Sequence, residues 1–168
     1  MAQAKPTKAQ IKAQDDAYNE FKAKAYAEPI DWFKHDSNAR YDEKVRLMVV
    51  ERGLRYYGLW WVLVELLYQN KGHIYDVSTE TGWKLLAVDV STCGEVLTVD
   101  ETKEAIQVFL HYGMIEQSSF NEFHHVANAR VLEAADGVAA TKAANQLKAW
   151  KTNNAKHNDT DSEATSES

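Results

Sequence analysis

The 168-residue chain is long enough for one domain with a real core, and its formal charge of −6 is the balance of 19 Lys and Arg against 25 Asp and Glu. A single cysteine, Cys93, excludes an internal disulfide framework and a cysteine-rich zinc site, and seven Gly with two Pro argue for a mainly helical protein rather than a loop-rich all-β one. No apolar run reaches the roughly 20 residues a bilayer requires and residues 1–25 hold no apolar signal-type core, so a cytoplasmic protein with no membrane partner is expected.

Residues 1–29 are an N-terminal arm, flexible or helical, in which Ile11, Tyr18, Phe21 and Tyr26 are spaced for a weakly amphipathic helix that Pro29 stops. The polar knot that follows, WFKHDSNARYDEK, runs from Trp32 to Lys44. Asp36, Asn38 and Asp42 are short side chains suited to backbone N–H groups ahead of a helix, with Trp32 and Phe33 expected to pin the segment to the core. The same knot offers Lys34, His35, Arg40, Lys44 and Arg46 to a nucleic acid or a protein partner. His35 and Asp36 can also be read as an acid–base pair or as metal ligands, but no nucleophile or further ligand stands at a recognisable spacing.

Asp42 and Glu43 predict a helix over about 42–52 that Gly53 ends. From Tyr57 a second helix, closed by Gly72, turns Leu59, Trp60, Val62, Leu63, Leu66 and Leu67 inward. Trp60-Trp61 and Tyr56-Tyr57 can serve as core or as base-stacking rings. Ile74, Tyr75 and Val77 favour a short strand over 73–77, and Ser78 or Thr79 then opens a helix through Trp83, Leu85, Leu86 and Val88. After a turn at 91–95, in which Cys93 has no basic neighbour to activate it, Asp100 is expected to cap a helix carrying Ala105, Ile106, Phe109 and Leu110 to Gly113. Residues 114–117 and 122–126 read as two strands around a polar turn at 118–121, which places His124 and His125 on opposite faces, unable to share one ion easily.

Residues 127–156 read as an Ala-rich basic helix with Ala134, Val138, Leu147 and Trp150 on one face and a possible break at Gly137, and 157–168 as a disordered acidic tail. The expected architecture is mainly α with a small β-hairpin: a winged helix-turn-helix over 30–126 plus a C-terminal helix.

Trp32, Phe33, His35, Asp36, Ala39, Asp42 and Lys44, followed by the pair Tyr57-Gly58, resemble the N-terminal winged-helix domain of phage and prophage replication-organiser proteins related to the primosomal DnaD-like family, over roughly residues 31–151. The resemblance implies a role in starting phage or plasmid DNA replication in a bacterial host cell. It also implies a DNA-binding or oligomerising module, a likeness to proteins that help recruit a helicase or its loader, and self-association through the winged helix in some members.

Charge is unevenly laid out. Residues 71–126 hold three lysines against nine acids, whereas 127–157 hold five basic residues against Glu133 and Asp136. The second helix of the motif offers only Lys103 among Asp100, Glu101 and Glu104, so the acidic middle suits assembly better than a DNA groove. The candidate nucleic-acid contacts are therefore Lys34, His35, Arg40 and Lys44 in the knot, Lys103, and Arg130, Lys142, Lys148 and Lys151 on the last helix. The basic run on that helix can equally be a solvated face complementing the helix dipole. No nucleotide, redox, serine-hydrolase or zinc-protease motif occurs, so neither enzyme activity nor a catalytic residue, cofactor or metal is expected. Two other functions fit: an adaptor that docks on a helicase, loader or host factor without DNA, and a winged-helix transcriptional regulator.

Overall fold

A computed structural model describes residues 7–35, 37–91 and 95–164, with 154–164 followed as backbone only. Among these residues the chain is mainly helical, with seven α-helices and one two-stranded antiparallel sheet. The described residues fall into two compact units, one made of those up to 27 and those from 136 onward, the other of 28–135.

In the first unit, α1 (Lys8–Ala27) ends two residues before Pro29, and the distal part of α7 (Ala129–Ala164) buries Ala139 and Ala143. The four-residue step between these alanines defines the packed stripe, with Leu147 and Trp150 half-buried beyond it, whereas Val138 stays 36% exposed. Leu147 and Trp150 thus lie where the apolar pattern puts them, but Ala134 and Val138 do not, because the buried stripe runs through Ala135, Ala139 and Ala143 at four-residue steps. Lys22 Nζ pairs with Asp136 at 2.8 Å. Gly137 does not interrupt α7.

The second unit holds the main core. Asp42 caps α2 (Glu43–Arg52), its carboxylate accepting from the amides of Lys44 and Val45. Gly53, at φ +87, then joins α2 directly to α3 (Leu54–Gln69), a conformation a β-carbon would disfavour. On α3 the buried residues Trp60, Leu63, Val64, Leu67 and Tyr68 fall at the three- and four-residue steps of one helix face. Strand β1 (Tyr75–Asp76) follows, and the Thr79 hydroxyl caps α4 (Glu80–Val90) by accepting from the Gly82 amide. α4 packs on α5 (Val99–His111), whose inner face puts Ile106 and Phe109 at the centre of the core.

Several expectations need correction. The cap of α5 is Thr98 rather than Asp100, in a reciprocal capping box with Glu101. No hairpin forms over 114–126: Gln117–Phe123 is a helix, α6, and the strand β2 (His125–Val126) pairs with β1, Tyr75 opposite Val126 and Asp76 opposite His125. The reason is visible at Met114 and Ile115, which are both buried although adjacent, a pattern that an alternating strand cannot produce. α6 then ends at His124 in the left-handed conformation, which redirects the chain into β2. Phe33 packs against the core, but Trp32 is 77% exposed and pins nothing there. Asp36 and Cys93 lie outside the described residues. Among the described residues, no helix is long and apolar enough to cross a membrane.

Candidate functional site

The knot turns out to be one wall of a groove of about 790 Å³. Phe33, Lys34, Asn38, Ala39 and Tyr41 form that wall, and Trp60, Trp61, Val64 and Tyr68 of α3 contribute another side. The segment from Gly113 to Glu116 and the start of α7, Asn128 to Val131, complete it. The groove is an open concavity with one aromatic side.

The local folding of each wall follows from its sequence. Phe33 stacks on Tyr68 at 4.5 Å, while the Ile30 amide donates to the Tyr68 carbonyl at 2.9 Å, so the extended segment is held along α3. His35 stacks on Trp61 at 3.8 Å. The Trp61 indole Nε1 is buried with no acceptor among the described residues. On the far side, the Asn128 side chain accepts from the Val131 amide at 3.0 Å and donates to the Met114 carbonyl at 2.6 Å. That asparagine therefore caps α7 and ties its first turn to the 113–116 segment.

Electrostatics in the groove favour an anion. Lys34, Lys44 and Arg130 line it, against the carboxylates of Asp42 and Glu116. Lys44 Nζ donates to the Gly113 carbonyl at 2.7 Å, and Arg130 reaches Asp42 at 3.2 Å. The first turns of α2 and α7 both border the groove, so the positive ends of two helix dipoles add to the side-chain charges.

Of the nine sequence-predicted contacts, Lys34, Lys44 and Arg130 converge on the groove. His35 joins them through Trp61, and Arg40 through Tyr41, whose ring centroid lies 4.9 Å from the guanidinium. Lys103 stands apart, 3.6 Å from Glu80 and over the Trp83 ring. Lys142, Lys148 and Lys151 are exposed on the distal part of α7, and the nine-residue step from Lys142 to Lys151 turns a helix by about 180°, so these lysines share no single face. His125 pairs across to Asp76 rather than to a metal, and no group of three ligating side chains gathers among the described residues.

Tyr41 and Asn128 were not singled out from the sequence. A signal for Asn128 exists: Asn-Ala-Arg occurs at 38–40 and again at 128–130, and the two copies face the same groove through Asn38, Ala39, Asn128, Ala129 and Arg130.

The family model described as Lin1244/Lin1753-like, N-terminal matches residues 32–128, more than half of the chain. The chain belongs to the Lin1244/Lin1753-like N-terminal family. The family segment opens at Trp32 and closes at Asn128, and so takes in the knot, the aromatic side of α3 and the asparagine that starts α7. No curated protein and no solved structure matches the chain.

Proposed function

We propose that this Lin1244/Lin1753-like protein is a phage-type replication-organiser module that binds DNA, self-associates and carries no catalytic activity. Its DNA contact is the groove of the 28–135 unit. The observation that carries this reading is the convergence of Lys34, Lys44 and Arg130 with the rings of Phe33, Tyr41 and Trp61 in one concavity. Cations that meet phosphate and rings that meet bases are the two components of nucleic-acid binding, and here they share a wall.

The fold supports the same reading. A winged-helix reading draws support from the order α3, β1, α4, α5, α6, β2 with β1 paired to β2, α6 lying where that reading expects a hairpin strand. On that reading α5 would take the recognition position, and it buries Thr102, Ala105, Ile106, Val108, Phe109 and Leu110. It turns acidic side chains outward, so DNA is met elsewhere. Self-association draws support from exposed apolar side chains near the α2–α3 junction: Leu47 and Val50, one turn apart on α2, and Leu54 at the start of α3. A helicase or loader in the bacterial cytoplasm is the partner that fits a replication role.

The test is DNA affinity measured by anisotropy at about 50 and 200 mM salt. The double substitution Lys34→Glu, Arg130→Glu is expected to lower affinity at least tenfold and flatten its salt dependence, while Lys142→Glu, Lys148→Glu, Lys151→Glu changes it less. The reverse ranking moves the site to the distal helix.

One observation favours a second reading, a protein adaptor that never meets DNA: the acidic outer side of α5, where Glu101 accepts from Arg55 and Glu104 from Tyr56. Absence of DNA binding at 50 mM salt, with a host replication protein retained after nuclease treatment, selects the adaptor.

A further inference from the structure

A duplex keeps its base faces inside the stack and shows phosphates on a convex exterior, so it can touch the rim cations of a cleft but cannot fill a cleft lined with rings. The groove of this protein is of the second kind. Tyr41 stands at its margin with 62% of its surface exposed, braced on one side by Arg40, and Phe33 and Trp61 continue the aromatic lining inward. Lys34 and Arg130 flank these rings, with Arg130 81% exposed. An unpaired strand offers phosphates and base faces together, which is the combination this surface complements.

The elements that would read a duplex point the same way. α5 exposes Asp100, Glu104, Gln107 and His111, and its single lysine, Lys103, is drawn to Glu80 at 3.6 Å and over the Trp83 ring, which leaves an outer surface poor in cations for a major groove. In place of a hairpin wing the chain has α6, whose charged residue is Glu122.

We infer that the groove takes single-stranded DNA, with the sugar-phosphate backbone along Lys34 and Arg130 and a base stacked on Tyr41. This rests on the proposed DNA-binding role and adds the form of the DNA and the ring that holds it.

The experiment uses the full chain with a fluorescein-labelled oligo(dT) of about 15 nucleotides, within the range one small site covers, and a duplex of the same length. The single strand is expected to bind at least tenfold more tightly than the duplex. Tyr41→Ala should weaken single-strand binding roughly five- to hundredfold, the cost of losing one stacked base, and Tyr41→Phe should restore it. Because Tyr41 is an exposed side chain, the variants are expected to melt at the wild-type temperature, which the same samples check. A duplex bound as tightly as the strand, or Tyr41→Ala without effect on the strand, overturns the inference and leaves DNA binding standing. Failure of both DNAs to bind at about 50 mM salt overturns the inference and the DNA-binding role together. Tight binding of an acidic peptide with no binding of oligo(dT) has the same consequence and assigns the groove to a protein ligand.

Discussion

Arg130, in the first turn of α7, reaches the carboxylate of Asp42, the N-cap of α2, at 3.2 Å across 88 positions of sequence. One carboxylate therefore satisfies the amides of Lys44 and Val45 and also restrains a groove cation that is 81% exposed. Asp42→Asn keeps a capping oxygen but removes the charge. An exposed pair of this kind contributes about 0.2–1 kcal/mol, so releasing Arg130 should raise DNA affinity by up to about fivefold at low salt. Asp42→Ala should instead lose about 1 kcal/mol of stability through the missing cap. Urea melts and anisotropy on the two variants separate the roles. Weaker DNA binding by Asp42→Asn would mean that the pair positions Arg130 rather than competing for it.

Two glycines inside helices should respond in opposite directions to alanine. A β-carbon at Gly82 would lie 2.5 Å from the Asp76 carbonyl oxygen and 3.1 Å from the Val77 Cα, backbone atoms that cannot move without shifting β1. Gly82→Ala should lose about 1–3 kcal/mol and disturb the pairing of β1 with β2. Gly58, within α3, has open space where its β-carbon would be, so Gly58→Ala should gain about 0.5–1 kcal/mol from helix propensity. Equal effects of the two substitutions on the urea midpoint would refute the close approach at Gly82.

The helices of the 28–135 unit were legible because their signals are local. Asp42 and Thr79 carry side-chain oxygens where a cap is needed, and Leu63 and Leu67 recur at the helical step. The start of α5 was legible too but misread: Thr98 and Glu101 form the Thr-x-x-Glu pattern, and the more acidic Asp100 drew the assignment. α6 was hidden, since the apolar Met114 and Ile115 mimic a strand start, while only the fold reveals that both plug the core. The same distinction holds for the groove. Lys34 and Lys44 both stand out in the knot, but their meeting with Arg130 depends on a chain reversal that no local pattern encodes.

Tyr75 donates its phenol to Asp89 at 2.6 Å, joining β1 to α4. Burial first, and the Asp89 carboxylate second, push the phenol well above its ordinary value, so it remains a donor throughout the neutral and mildly alkaline range. Tyr75→Phe should lose about 1 kcal/mol, since Asp89 is exposed and water can replace the donor. An unchanged urea midpoint would show that the bond adds nothing net to stability.

The capping box at α5 makes a pH-dependent prediction. The Thr98 amide donates to Glu101 at 2.8 Å, as does the Thr98 hydroxyl, with Arg55 adding a longer contact, and together they hold the Glu101 carboxyl below the usual carboxylate range. Asp76 is held low in the same way by the Ser78 hydroxyl and amide. For a carboxyl lowered in the folded state, the unfolded chain binds protons first as pH falls. The stabilisation is complete above the ordinary Glu value of about 4.3 and is lost as pH drops through the lower folded value. Glu101→Gln retains an oxygen that can accept from Thr98 but no longer titrates. It should be less stable than wild type at pH 7, and its midpoint should fall less steeply as pH drops below the ordinary Glu value. Thr98→Ala should cost about 1 kcal/mol at neutral pH. Urea midpoints for the three proteins at several pH values provide the check. If Glu101→Gln falls as steeply as wild type on the acid side, the acid sensitivity belongs to Asp76 and other carboxylates, and the capping box stabilises α5 without a charge term.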